Sequence, residues 1–251
     1  MTLPPIDTLV AALQRPEGLG ALGPTAWDLL IRQGRQADLL ARVGAQAEAR
    51  GHWEQLPVEP RRHLGSAMGL AARQHTELRH EVVQIARALE PIGMPVVLLK
   101  GAAYTMAGLD ASLGRMVSDV DILVPRARLA DVESALMMGG WVSMNRDAYD
   151  QRYYRTWMHE LPPLKHMTRG TVLDVHHAIM PLTARLKPDS DRLLQRARPV
   201  GTDPRIQVLC APDMVLHSAA HLFHEGDLEL GLRGLVDLDA LLREFAADPG
   251  F

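Results

Sequence analysis

The run Ser118-Asp119-Val120-Asp121-Ile122-Leu123-Val124 constrains this chain more than any other feature of its sequence. Side chains alternate across a strand. Asp119 and Asp121 therefore share one face, while Val120, Ile122 and Val124 share the other and can anchor the strand in a core. Two carboxylates on one face repel each other, and a divalent cation removes that repulsion. Mg²⁺ takes one or two carboxylates and fills its shell with substrate phosphates, so the pair suits it. A second run, Val172-Leu173-Asp174-Val175-His176, puts Asp174 and His176 on one face. If the two strands are neighbours, Asp119, Asp121 and Asp174 form a trio. Such a trio can hold two cations about 3.5–4 Å apart for in-line phosphoryl transfer. Asp174 is also the candidate to take the proton from an attacking hydroxyl. An isolated D-x-D can equally be a solvated surface pair. The apolar run after it and the element before it argue for a site.

That preceding element is Leu98-Leu99-Lys100-Gly101-Ala102-Ala103, which reads as strand, tight turn and helix start. Glycine at the turn lets a phosphate approach the backbone, and a helix N-terminus offers free N–H groups and a favourable dipole. Lys100 can add a point charge on a triphosphate. Arg115, four residues before Asp119, is a second candidate phosphate clamp. A strand-end lysine and a surface-loop arginine are the plainer readings of these two.

The three strings LLKGAAY, GRMVSDVDILV and LDVHH together resemble the uncharacterised nucleotidyltransferase family of the DNA polymerase β-like superfamily. Gly101 matches that superfamily's turn glycine, Asp119 and Asp121 its D-x-D pair, and Asp174 its third acid. The K-G turn, the arginine before D-x-D and the D-x-H of the later strand resemble this branch. Lys100, Arg115 and His176 carry over with them, and Ser118 and Ala102 fall in the matched nucleotide-binding strings. Ala102 stands where many members of the superfamily have Ser or Gly, so a hydroxyl on the phosphate is missing. The resemblance is strongest over residues 94–180. It implies transfer of a nucleoside monophosphate from a nucleoside triphosphate, with Mg²⁺ or Mn²⁺ and release of pyrophosphate. It names no base, and no acceptor among small molecules, proteins and RNA. The alternative is a non-catalytic nucleotide-binding regulatory module on the same fold.

The flanks read as helical. Ile6–Leu13, a run opened by Pro24-Thr25, Ala37–Ala49 and Arg61–Leu89 carry apolar residues at helical spacing. From Pro91 the pattern changes to short strands at 96–99, 117–124 and 171–176, with helices at 102–107 and 129–138. Trp141–Met144 reads as a further strand. Tyr153–Met158 and Leu164–Met167 read as a hairpin around Pro162-Pro163, with Tyr153, Tyr154 and Trp157 facing a core. Helices return at Ser190–Ala197, from Pro212 to about His224, and from Leu228 to Phe245. The expected fold is therefore α+β. A small mixed nucleotidyltransferase sheet spans residues 91–200, with a helical region before it at 1–90 and another after it at 201–251.

His217, His221 and His224 recur at i, i+4 and i+7 and share a helix face. Ser218 stands where a zinc protease of the H-E-x-x-H type needs glutamate, so that chemistry is disfavoured. These histidines read as core packing or as partners of acids such as Asp237, and His217 and His221 as a candidate acceptor pocket. Arg233 and Asp237 read as an i, i+4 ion pair, and His177 as structural.

Composition adds exclusions. Of 251 residues, 47% are hydrophobic, enough for a real core. The net charge of −3 gives no strong nucleic-acid signature, although a local basic groove stays open. No run approaches the ~18 apolar residues of a membrane span. The N-terminus lacks a basic region followed by a long apolar one, so no signal peptide is expected. With Cys210 the single cysteine, no internal disulfide can form, which leans cytoplasmic.

Overall fold

The computed structural model describes residues 5–145, 147–224, 230–248 and 251. Four helices come first: α1 (Pro5–Gln14), α2 (Pro24–Gln36), α3 (Leu40–Ala49) and α4 (Val58–Leu89). Pro24 occupies the first turn of α2, where its missing N–H costs nothing. Leu9, Trp27, Leu30, Val43 and Leu64 are buried together in an N-terminal apolar cluster. Leu78, Val82, Ile85 and Leu89, further along α4, belong instead to the cluster built on the sheet. One long helix thus serves two cores.

The sheet holds β1 (Val96–Leu99), β2 (Asp119–Leu123), β3 (Trp141–Ser143), β4 (Leu164–His166), β5 (Val172–His176), β6 (Arg198–Pro199) and β7 (Ile206–Val208). Among the described residues their order is β3-β4-β5-β2-β1-β7-β6. β2 runs parallel to β5, β1 is antiparallel to β2, and β1 runs parallel to β7. All four residues of β1 are buried, as a central strand covered on both sides requires. Helix α5 (Lys100–Ala107) packs on β1 and β2, and α6 (Leu129–Met138) packs on β3 and on α4. The chain then forms α7 (Ala148–Trp157), α8 (Ser190–Arg196), α9 (Ala211–His224) and α10 (Gly231–Phe245). The α+β reading holds, with a mixed sheet wrapped in helices. Among the described residues no helix is long and apolar enough to cross a membrane.

One sequence expectation needs correction. The segment expected as a strand at 153–158 is the end of α7. Tyr153 and Trp157, four residues apart, are exposed rather than core. Aromatic residues raise strand propensity, but a helix satisfies this stretch's backbone locally. The pairing at the Pro162-Pro163 corner is made instead by Leu161, whose N–H donates to the Val175 carbonyl. The strands β6 and β7 were not expected, because two and three residues carry too little periodicity to read. Leu228, where the last helix was expected to start, lies outside the described residues; the described helix opens at Gly231.

Candidate active site

In the parallel pairing of β2 and β5, Asp121 stands directly opposite Asp174, and Asp119 opposite Val172. No strand separates the carboxylates. Asp119 and Asp121 lie on one face of β2, so the register brings all three acids of the expected trio together.

Their surroundings differ. Asp121 is buried. Its Oδ1 accepts from Lys100 Nζ at 3.0 Å and from His176 Nε2 at 2.9 Å. Burial alone would raise the Asp121 carboxyl, but the Lys100 ammonium and the His176 donor outweigh it and hold the group well below the usual carboxylate range. Among the described residues Asp174 has no such donors. Burial first, and then the charges of Asp121, Glu160 and Asp119, push its carboxyl up to about 7. Its Oδ1 is buried without a hydrogen-bond partner. Asp119 is also raised, by burial and by Asp121, against which Lys100 works. Ser118, exposed, lies with Oγ 3.4 Å from Asp119 Oδ1. One oxygen left unsatisfied among three converging carboxylates fits a divalent cation, which supplies the missing charge and takes oxygen ligands.

Lys100 makes the turn between β1 and α5. Its φ is 47°, in the left-handed region, at an expected cost of about 1–2 kcal/mol for a residue with a Cβ. The adjoining Gly101 does something else: a Cβ there would collide with the Arg115 guanidinium. Arg115 Nε donates to Asp237 Oδ2 at 2.8 Å, and both side chains are nearly buried. Asp237 therefore pairs with Arg115 and not with Arg233, which lies 3.3 Å from Asp38. The i, i+4 pair on α10 is not formed. Ala102 and Ala103 are buried behind the turn.

Of the α9 histidines, His217 is buried, His221 half-buried and His224 exposed. Burial, and then the neighbouring Lys100 and His176, drive His217 well below the usual histidine range, so it stays neutral. His221 lines a cavity of about 130 Å³ with Lys100, Tyr104, Arg115, Ser218 and Arg233. Burial pushes the Tyr104 hydroxyl up to about 12, so it remains a donor. A second cavity, of about 330 Å³, opens beside the start of β2, where Gln74, Glu77, Ser118, Asp119 and Thr171 line it. His177 is buried, and burial together with Arg126 pushes it down to about 4.

Sequence reasoning missed Glu160 and His159, which stand beside His176. Their only signal is the dipeptide itself, in a stretch read as part of a hairpin. It also missed Asp237 as the partner of Arg115, because no local spacing connects positions 122 residues apart.

The profile of a family described as "Uncharacterised nucleotidyltransferase" matches residues 23–250. No curated protein matches. Among solved structures, the antibiotic-resistance factor ANT(2'')-Ia is similar at 15% sequence identity with a TM-score of 0.40. The match covers 69% of this chain and 93% of that one. The family match spans nearly the whole chain, and the chain belongs to the uncharacterised nucleotidyltransferase family.

Proposed function

We propose that this chain transfers a nucleoside monophosphate from a nucleoside triphosphate to an acceptor hydroxyl or phosphate, releasing pyrophosphate. The observation that carries the reading is the register of β2 and β5. It sets Asp174 directly against Asp121 and leaves a buried Asp174 oxygen unsatisfied. Asp119, Asp121 and Asp174 would hold Mg²⁺ or Mn²⁺, which when bound neutralises charge on the transferring phosphoryl group. Asp174, the most proton-avid of the three, is the candidate base for the acceptor hydroxyl. His176 orients Asp121 through its Nε2–H.

Lys100, Arg115 and Arg233 give the smaller cavity a cationic wall, which suits the triphosphate tail. Ser218, His221 and the Tyr104 hydroxyl add polar groups there, and His217 packs behind Lys100. Gly101 and Ala102, next to Lys100 in the first turn of α5, are the candidate backbone contacts for phosphate. The larger cavity beside Ser118 and Asp119 is the open approach for the acceptor. Catalysis on this arrangement is mostly positioning and electrostatic stabilisation.

The test is a screen of labelled triphosphates against small molecules, RNA and proteins, with Mg²⁺ or Mn²⁺. Transfer that disappears in Asp121→Asn supports the proposal. Absence of both transfer and metal-dependent triphosphate binding would sink it. The second reading is a nucleotide-binding module without turnover, favoured by the buried methyl of Ala102 where a hydroxyl would help hold phosphate. It predicts triphosphate binding that survives Asp174→Asn, in a wild type that transfers to nothing.

A further inference from the structure

The carboxylate trio uses only one side of the His176 ring. Nε2 faces Asp121 at 2.9 Å. An ionised carboxylate can only accept, so Nε2 carries the proton, and a neutral ring then presents a lone pair at Nδ1. That Nδ1 is buried and makes no hydrogen bond, yet it stands 3.3 Å from Glu160 Oε2. A lone pair facing a carboxylate oxygen at this distance is repulsive unless something positive joins them. His159 completes the group. Its ring centroid is 5.3 Å from that of His176, and one donor atom from each of His159, Glu160 and His176 lies within 4.8 Å of the others. His159 and His176 are buried and Glu160 is mostly so.

The backbone fixes this arrangement. Glu160 bridges His176 in antiparallel fashion, the Leu161 N–H donates to the Val175 carbonyl, and the His177 N–H donates to the His159 carbonyl. These backbone bonds hold the 159–161 segment against the end of β5, beside His176.

We propose that His159, Glu160 and His176 form a transition-metal site, separate from the carboxylate trio, with zinc as the best-fitting ion. Two imidazoles and one carboxylate form a mixed nitrogen and oxygen donor set that zinc favours over Mg²⁺, which prefers oxygen. Two donors about 2.0–2.1 Å from a tetrahedral zinc lie about 3.4 Å apart, close to the His176–Glu160 separation of 3.3 Å. Three protein ligands leave the fourth position for water or a ligand atom. Asp121 supplies the partner of the ligating imidazole: its carboxylate accepts from the far ring nitrogen and fixes the tautomer. The site binds metal whether or not the chain transfers nucleotides. If it does, the same imidazole ties the zinc to Asp121 of the trio.

The test uses the full-length protein, stripped with chelator and dialysed against Zn²⁺ in excess Mg²⁺. Bound metal is counted by mass spectrometry, and Co²⁺ substitution reports geometry by absorption. One zinc per chain is expected, with the intense visible bands of a four-coordinate cobalt site. His159→Ala and Glu160→Gln should each weaken zinc binding by more than about tenfold, since even partners one shell further out cost about 10–100-fold. Asp119→Asn should leave zinc stoichiometry unchanged. Glu160→Gln is near-isosteric and keeps the test valid if His159→Ala fails to fold. Zinc that is lost in Asp119→Asn and retained in His159→Ala or Glu160→Gln belongs to the trio, and overturns the proposal. So does a stripped protein that takes up no zinc.

Discussion

Asp174 is a carboxyl group held far from its ordinary chemistry. Its folded value near 7 lies above the roughly 3.9 of an unfolded chain, so between these values the folded protein binds the extra proton. Stability of the metal-free protein must then fall as pH rises through that window. Asp174→Asn removes the penalty. In chelator, the variant should match wild type at pH 4 and exceed it at pH 8. The expected gain is on the order of 2 kcal/mol, discounted from the full shift because the carboxyl is partly exposed. Thermal melts across pH check this, and a variant less stable than wild type at pH 8 would mark Asp174 as a structural residue. Metal affinity should rise over the same window, because ligation requires the deprotonated group. The trio was legible in the sequence because alternation and apolar flanks fix which face each acid takes. The inequality of its members was not. It depends on Lys100 and His176 meeting a single oxygen of Asp121, and no spacing rule encodes that.

At the scale of elements, Arg115 is the pin between the loop before β2 and helix α10. Gly101 is the gap that admits it. Gly101→Ala should therefore act on α10 rather than on the β1–α5 turn, whose left-handed residue is Lys100. Displacing the guanidinium leaves Asp237 buried and unpaired. The expected loss is about 3 kcal/mol, and Arg115→Ala should cost about 3–5. Arg115→Met combined with Asp237→Leu should recover most of the loss in a denaturation experiment, because a buried pair replaced by apolar groups is often neutral. A double variant as unstable as the singles would refute the pin. The central strands were readable because each is a short apolar run closed by Pro, Gly or a polar turn. β7 pairs with β1 on the strength of three residues, and α7 hides behind strand-like aromatics. Arg115, read from its position as a candidate phosphate clamp, is held in the structure as a tether to Asp237. Only its distant partner shows that.

Over the whole molecule, α4 links the N-terminal cluster to the sheet. A charge pair on a buried carboxylate fastens it there: Arg169, exposed in the turn between β4 and β5, donates to both oxygens of Glu81 at 2.7 and 3.0 Å. Burial works to raise the Glu81 carboxyl, but Arg169 prevails and the group is lowered. Its stabilising contribution is present above the unfolded value and is lost as pH falls through the folded one. Glu81→Gln should cost about 2–3 kcal/mol at neutral pH. Its gap from wild type should narrow on acidification below pH 4, measured by urea unfolding. A gap that widens there would assign the loss to packing instead. Arg169 also borders the larger cavity, so the same variant should loosen the expected acceptor side more than the cationic one.

The ion pair between Lys100 and Asp121 means that the chain carries its own counter-ion. If the trio holds Mn²⁺ as proposed, the cation would have to compete with that ammonium for Asp121, and alone it should bind weakly. Once displaced, the ammonium can turn to the phosphates of a nucleotide. Metal and nucleotide should then be cooperative ligands, each tightening the other by the same factor. Order of addition follows from this: neither partner binds well first, and the two are best held as a preformed complex. Lys100→Met should invert the pattern, binding Mn²⁺ more tightly by itself and losing most of the mutual enhancement. Calorimetric titration of Mn²⁺ with and without a nonhydrolysable triphosphate measures both quantities. Equal enhancement in wild type and Lys100→Met would show that the ammonium couples nothing.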